Sequence, residues 1–127
     1  MQSVLDTSVL IGSTLDRLEG EFTISVVSIA ELQFGVLIAS SEPQRAHRLA
    51  RLSAINRIFE PLPVDSSVAA SYAEIAAATH RVKRKSSARS LDLMIAATAH
   101  AHGARLVTAN VKDVKHLEHI LEIVEVT

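Results

Sequence analysis

The chain has 127 residues, of which 48% are hydrophobic and 21% charged, and its formal net charge is −1. That balance predicts one globular domain, residues 1–127, with an apolar core, and excludes a nucleic-acid binder that works by bulk positive charge. Cysteine is absent and aromatic residues make up 3%, which excludes disulfides, thiolate catalysis, cysteine-held zinc and an extended base-stacking platform.

In chain order, "SVLD" (3–6) predicts a buried strand, followed by a helix from Thr7–Ser8 to near Gly20. "FTISVV" (22–27) predicts a second strand, and Ser28 starts a helix to about Ser40. After Glu42-Pro43, "QRAHRLARLSAINRIFE" (44–60) has helical period, with Leu49, Leu52, Ile55 and Phe59 as its apolar stripe. "PLPV" (61–64) predicts a short extended piece, and Asp65 or Ser66 caps a helix through His80. "RVKRKSSARS" (81–90) is a basic connection, after which Ser90 caps a helix ending at Gly103. "RLVT" (105–108) and "EIVEV" (122–126) complete the strands, with a short helix near 111–117 between them. Short apolar runs alternating with helical patterns predict a three-layer α/β/α sandwich around a mainly parallel five-stranded sheet. No apolar run approaches the roughly 20 residues that cross a bilayer. The start lacks the basic segment of a secretory leader, and Asp6 interrupts its apolar run, so a cytoplasmic protein without membrane contact is expected.

Four carboxylates stand at functional positions on this scheme. Asp6 ends the first strand, Glu31 and Asp92 lie in first turns of helices, and Asp113 follows the strand ending at Thr108. Parallel α/β sheets bind ligands beyond the carboxyl ends of their strands, so these acids can converge on one edge. Gathered carboxylates repel one another unless a cation compensates, and an all-oxygen set selects hard ions such as Mg²⁺ or Mn²⁺. Such ions serve phosphodiester hydrolysis. Each acid also has a local reading: Ser28 to Glu31 has the form of a capping box, Asp92 suits a helix dipole, and Asp6 is a good N-cap.

The segments "LDTSVLIG" (5–12), "ISVVSIAELQFGV" (24–36), "SLDLMIAATAHAHGARLVTAN" (90–110) and "VKDV" (111–114) resemble, in order and spacing, the PIN-domain family and within it the VapC-type ribonuclease toxins of bacterial toxin–antitoxin pairs. The resemblance implies the three-layer fold and a site in which Asp6, Glu31 and Asp92 hold Mg²⁺ or Mn²⁺ for RNA cleavage. It implies a fourth acid from the stretch after the "VT" strand, where Asn110 takes the first such position, Asp113 is the nearest carboxylate and Val114 replaces a common aromatic. Thr108 and Asn110 are then placed to orient water or the substrate phosphate. The resemblance further implies a homodimer held inactive by a small antitoxin that itself binds DNA. The departure at Asn110 keeps open a catalytically weak domain acting mainly as an antitoxin-bound regulator, and the family at large includes nucleases of ribosomal RNA processing.

Arg81, Lys83, Arg84, Lys85 and Arg89 precede the helix of Asp92; they are either a solvated connection or a clamp on RNA phosphates. Arg45, Arg48 and Arg51 form a second basic set, on a helix face. The histidines offer no zinc set, since His100 and His102 do not face one another and His116 and His119 lack a third ligand.

Overall fold

The computed structural model describes residues 2–84 and 89–126. Strand β1 (Ser3–Leu5) pairs in parallel with β2 (Phe22–Thr23) on one side and β3 (Arg105–Thr108) on the other, and β3 pairs with β4 (Ile123–Glu125). The order is therefore β2-β1-β3-β4. Alternation along the strands sends neighbouring side chains to opposite faces. Val4 and Leu106 enter one core, with Ile75 from α4 (Ser66–Arg81) and Leu93 and Ile95 from α5 (Ser90–Ala101). Leu5 and Val107 enter the other, with Val9 from α1 (Thr7–Leu10), Leu32 from α2 (Val26–Leu37) and Ile55 from α3 (Glu42–Ile58). Two helical layers thus sandwich a parallel sheet, as the sequence pattern predicts.

Among the described residues the sheet has four strands, where five were expected. The missing one is "PLPV", in which Leu62 forms only an isolated bridge with Ser25. Pro61 and Pro63 flank Leu62 and have no N–H to extend a ladder. The run "FTISVV" is divided: β2 stops at Thr23, and the Ser25 hydroxyl accepts from Val27 N at 3.0 Å to start α2 at Val26. The first helix is a single turn followed by a 3-10 turn at Leu15–Arg17, because Gly12, Ser13 and Thr14 are weak helix formers. Two 3-10 turns, Val111–Asp113 and Lys115–Leu117, replace the helix expected near 111–117.

Local signals place α4 and α5 well. Asp65 caps α4 by accepting from Val68 N at 3.0 Å. Gly103 supplies the left-handed turn (φ 61°) that ends α5. Ser90, however, is the first helical residue of α5, and Arg89 takes the cap position without a capping side chain. The stripe on α3 buries Leu52 and Ile55, while Leu49 is 50% exposed. Two arginines of the second basic set on that helix have an internal use. Arg48 donates to Gly35 O at 2.6 Å and Arg45 to Ala39 O at 3.2 Å, binding carbonyls at the end of α2. No helix among the described residues is long and apolar enough to cross a membrane.

Leu93 is fully buried and adjoins Asp92, so it couples the core to the sheet edge. Leu93→Ala is expected to cost about 2–5 kcal/mol, read as a shift in the urea unfolding midpoint; a loss below about 1 kcal/mol would contradict this packing role.

Candidate active site

The carboxyl ends of β1 and β3 lie side by side, since Leu5 is in register with Val107. Asp6 leaves β1 there with its N–H bonded to Val107 O at 2.8 Å. Its side chain does not cap α1. Instead Asp6 Oδ2 accepts from the Ser8 hydroxyl at 2.7 Å and from the Thr108 hydroxyl at 2.9 Å. Thr108 Oγ1 also accepts from Asn110 N at 3.0 Å, and Ser8 Oγ from Ala109 N at 3.0 Å. These bonds lock the first motif onto the end of β3.

Glu31 arrives from α2, one turn deeper than the sequence pattern suggested, because the helix starts at Val26. The capping box with Ser28 does not form. Glu31 Oε1 accepts from the Thr7 hydroxyl at 2.7 Å, and the buried Ser28 hydroxyl lies 2.9 Å from the same Thr7 oxygen. Thr7 has one proton to give, and it goes to the carboxylate, so Ser28 donates to Thr7. Asp92 comes from the first turn of α5, and Asp113 from the 3-10 turn after β3.

All four acids line one cavity of about 220 Å³, together with Thr108 and Asn110. Three remote segments therefore bring Asp6, Glu31 and Asp92 together, with Asp113 on the same cavity. Among the described residues no three of these side chains form a ready-made metal cage. The donor chemistry nevertheless suits a hard cation: the Asp92 carboxyl is pushed above its usual range by burial first, then by the charges of Asp6, Glu31 and Asp113, with Arg89 opposing. A carboxylate that its neighbours discourage from ionising is one that a cation would relieve. Asp92 is exposed as a whole residue, so solvent screens part of this strain.

Arg89 lies 2.8 Å from Asp113 Oδ1, and Arg84 donates to the Asp113 carbonyl at 3.2 Å. Of the basic connection read from the sequence, Lys85 lies outside the described residues. Two of the six histidines have structural partners. His100 Nδ1 meets the Ser71 hydroxyl at 2.8 Å. His116 Nε2 meets Thr79 Oγ1 at 2.9 Å, while Thr79 donates to Ile75 O. Burial, then Arg84, Arg89 and His119, holds the His116 imidazole below its usual range. Thr7, Ser8 and Ser28 were read in the sequence only as helix-start and capping residues, not as partners of the acids; the signal was their position just after Asp6 and ahead of Glu31.

Residues 3–119 match the PIN domain family, and the chain belongs to it. Within that family it is similar to VapC proteins. Ribonuclease VapC4 of Mycobacterium tuberculosis is 37% identical over 113 residues, spanning 84% of this chain and 85% of its own length. Ribonuclease VapC1 of Rickettsia felis is 31% identical over 134 aligned positions, spanning 100% and 98%. The crystal structure of VapBC-5 from Mycobacterium tuberculosis, a member of the VapBC family of toxin–antitoxin systems, superposes with a TM-score of 0.87 at 34% identity over 98% of both chains. At 20% identity, VapBC2 of Rickettsia felis shares the fold with a TM-score of 0.80.

Because its folded-state pKa is raised, Asp92 favours the fold while protonated, below the ordinary aspartate range, and that contribution is lost as pH rises through the raised value. At neutral pH the ionised side chain therefore opposes folding of the metal-free protein. Asp92→Asn is expected to melt at a higher temperature than the parent in EDTA at pH 7.5. The gain should vanish near the ordinary aspartate pKa. A variant melting at or below the parent at pH 7.5 would refute the crowding.

Proposed function

We propose that the protein is an Mg²⁺- or Mn²⁺-dependent endoribonuclease, the toxin of a cytoplasmic toxin–antitoxin pair. The observation that carries this reading is the meeting of Asp6, Glu31 and Asp92 in one cavity of a PIN-domain chain. Similarity to ribonucleases VapC4 and VapC1 supports RNA as the substrate, and similarity to VapBC-5 supports an antitoxin partner.

Asp6, Glu31 and Asp92 would hold the ion. Bound there, it supplies positive charge to the phosphodiester and makes water more acidic. The chain's own contribution is preorganisation. Ser8 and Thr108 fix Asp6, and Thr7 fixes Glu31, so both carboxylates are oriented before substrate arrives. Hydroxyl bonds orient a carboxylate without cancelling its charge, which leaves that charge for the cation.

On the surface, Phe34, Leu37 and Ile38 at the end of α2 are 61%, 79% and 58% exposed. Large apolar side chains clustered in this way mark a protein interface, and here we assign it to the antitoxin or to a second copy of the toxin. DNA then enters only through the antitoxin.

Asp6→Asn and Asp92→Asn are each expected to lower RNA cleavage by ~100-fold or more, equivalent to roughly 2.7 kcal/mol of barrier. Both should relieve the growth arrest that expression of the parent alone produces, and EDTA should stop cleavage. Undiminished cleavage by Asp92→Asn, or cleavage that persists in EDTA, would refute the mechanism.

A further inference from the structure

The four cavity acids are not held alike. Asp6 and Glu31 are held by neutral hydroxyls, from Ser8, Thr108 and Thr7. Asp113 is held by cations at both ends of the residue. The Arg89 guanidinium lies 2.8 Å from its carboxylate, and the Arg84 guanidinium binds its backbone carbonyl at 3.2 Å. A hydroxyl leaves a carboxylate its full negative charge, whereas a guanidinium compensates it. An incoming metal ion therefore meets Asp6 and Glu31 held only by neutral hydroxyls, meets Asp92 partly offset by the nearby Arg89, and meets Asp113 already paired.

The backbone supports the same division. After α4 the chain turns back through Lys83, which has a left-handed φ of 61°, and Arg84 N bonds to Thr79 O at 3.2 Å. That turn brings Arg84 to the Asp113 carbonyl. Arg89 reaches the same residue from the cap position of α5, three residues ahead of Asp92. Arg89 also lines a recess with Glu31 and Asp92, two residues that line the acidic cavity as well. The Arg89 and Asp113 side chains are 37% and 30% exposed, so the pair sits at the lip and not in the interior.

From this geometry we infer that Asp113 is a positioning residue for Arg89 and not a metal ligand, and that Arg89, so held, binds the RNA phosphate beside the scissile bond. This deepens the nuclease reading and rests on it. A guanidinium has five N–H donors in a planar fork, so pairing with one carboxylate oxygen leaves donors for phosphate. An arginine fixed by a neighbour loses less conformational freedom on binding than a free one. Asp113 thus aims Arg89 across a floor of carboxylates that would otherwise repel the substrate.

The test is a double-mutant cycle on RNA binding, combined with metal calorimetry. Binding of a fluorescent single-stranded RNA oligonucleotide is followed by anisotropy in EDTA for the parent, Arg89→Gln, Asp113→Asn and the double variant. Arg105→Gln, which removes a cation at the opposite end of β3, serves as the charge control. Arg89→Gln is expected to weaken binding about tenfold in the parent but less than about threefold when Asp113 is already Asn. It should also lower the salt slope by about one. Arg105→Gln should leave binding within about twofold, and Arg89→Lys should restore only part of the loss, because an ammonium has no fork. In calorimetry, Asp113→Asn should bind Mn²⁺ within about threefold of the parent, whereas Asp92→Asn should lose it. Equal effects of Arg89→Gln in both backgrounds, or a tenfold loss of Mn²⁺ affinity in Asp113→Asn, would overturn the inference. A parent that binds RNA without cutting it in Mn²⁺ would refute the nuclease reading alone. A parent that cuts RNA with Arg89→Gln binding unchanged would refute the inference alone.

Discussion

The hydrogen bond from Thr108 to Asp6 joins residues 102 apart in sequence and fixes the rest of the site. It exists because β1 and β3 are parallel neighbours in register, so that both strands end at the same edge. In a sheet built of parallel strands the loops that leave this edge must start close together, and side chains from remote segments meet there without long excursions. Asp6 leaves β1 with its amide already bonded to Val107, and its carboxylate then takes the two hydroxyls presented by Ser8 of α1 and by Thr108, the last residue of β3. Once Asp6 is fixed, Thr7 falls opposite α2 and holds Glu31, and α5 packs under β1 and β3 with Asp92 in its first turn. The arrangement has one anchor, and the other acids are placed by packing against it.

That anchor explains why so much of the chemistry falls on hydroxyls. Burial first, and then the neighbouring carboxylates, raise the energy of ionised Asp92. Cationic partners for every acid would remove the repulsion and also the capacity to attract a metal ion. Serine and threonine offer another solution, since they supply direction and some stabilisation while leaving net negative charge in place. Buried Ser28 and Thr108 are thus more than satisfied core polar groups. They form an outer ring that holds the acids in orientation at a modest electrostatic cost to the fold.

The sequence made the local features legible and hid the long-range ones. Asp65 as a cap and Gly103 as a terminator are decided within a few residues, and both stand where the pattern puts them. The acidic residues were legible because strand ends in an α/β repeat define the binding edge before any contact is known. "FTISVV" misled because a β-branched run cannot show that Ser25 will bond to Val27 N and divert the chain into a helix. "PLPV" misled because its extended backbone was inferred correctly, while the two prolines that deny it a ladder were not weighed. Of the hydroxyls that hold Asp6 and Glu31, Ser8 lies two residues from its acid, whereas Thr108 and Thr7 lie 102 and 24 residues from theirs. Their role depends on Thr108 and α2 arriving from elsewhere, which no local pattern records. Arg45 and Arg48 of α3 read in the sequence as part of a solvated or binding face, and carbonyls near the end of α2 turned out to be their acceptors.

Arg89 shows where local preference and placement part company. A helix N-terminus carries partial positive charge and unpaired N–H groups, and it favours Ser, Thr, Asp or Asn at the cap. α5 has an arginine there with no side-chain cap, and the serine that could have served lies one residue inside the helix. On helix energetics alone this is the wrong residue. Asp92 in the first turn and the ion pair with Asp113 offset the misplaced charge, but they do not account for its being there. A positive side chain at a positive helix end is explicable when a further anion has to be held there, because helix end and guanidinium then act on it together. The phosphate backbone of RNA is such an anion. Its approach would convert the one locally unfavourable position of α5 into the point where substrate, helix and acidic floor are brought into register.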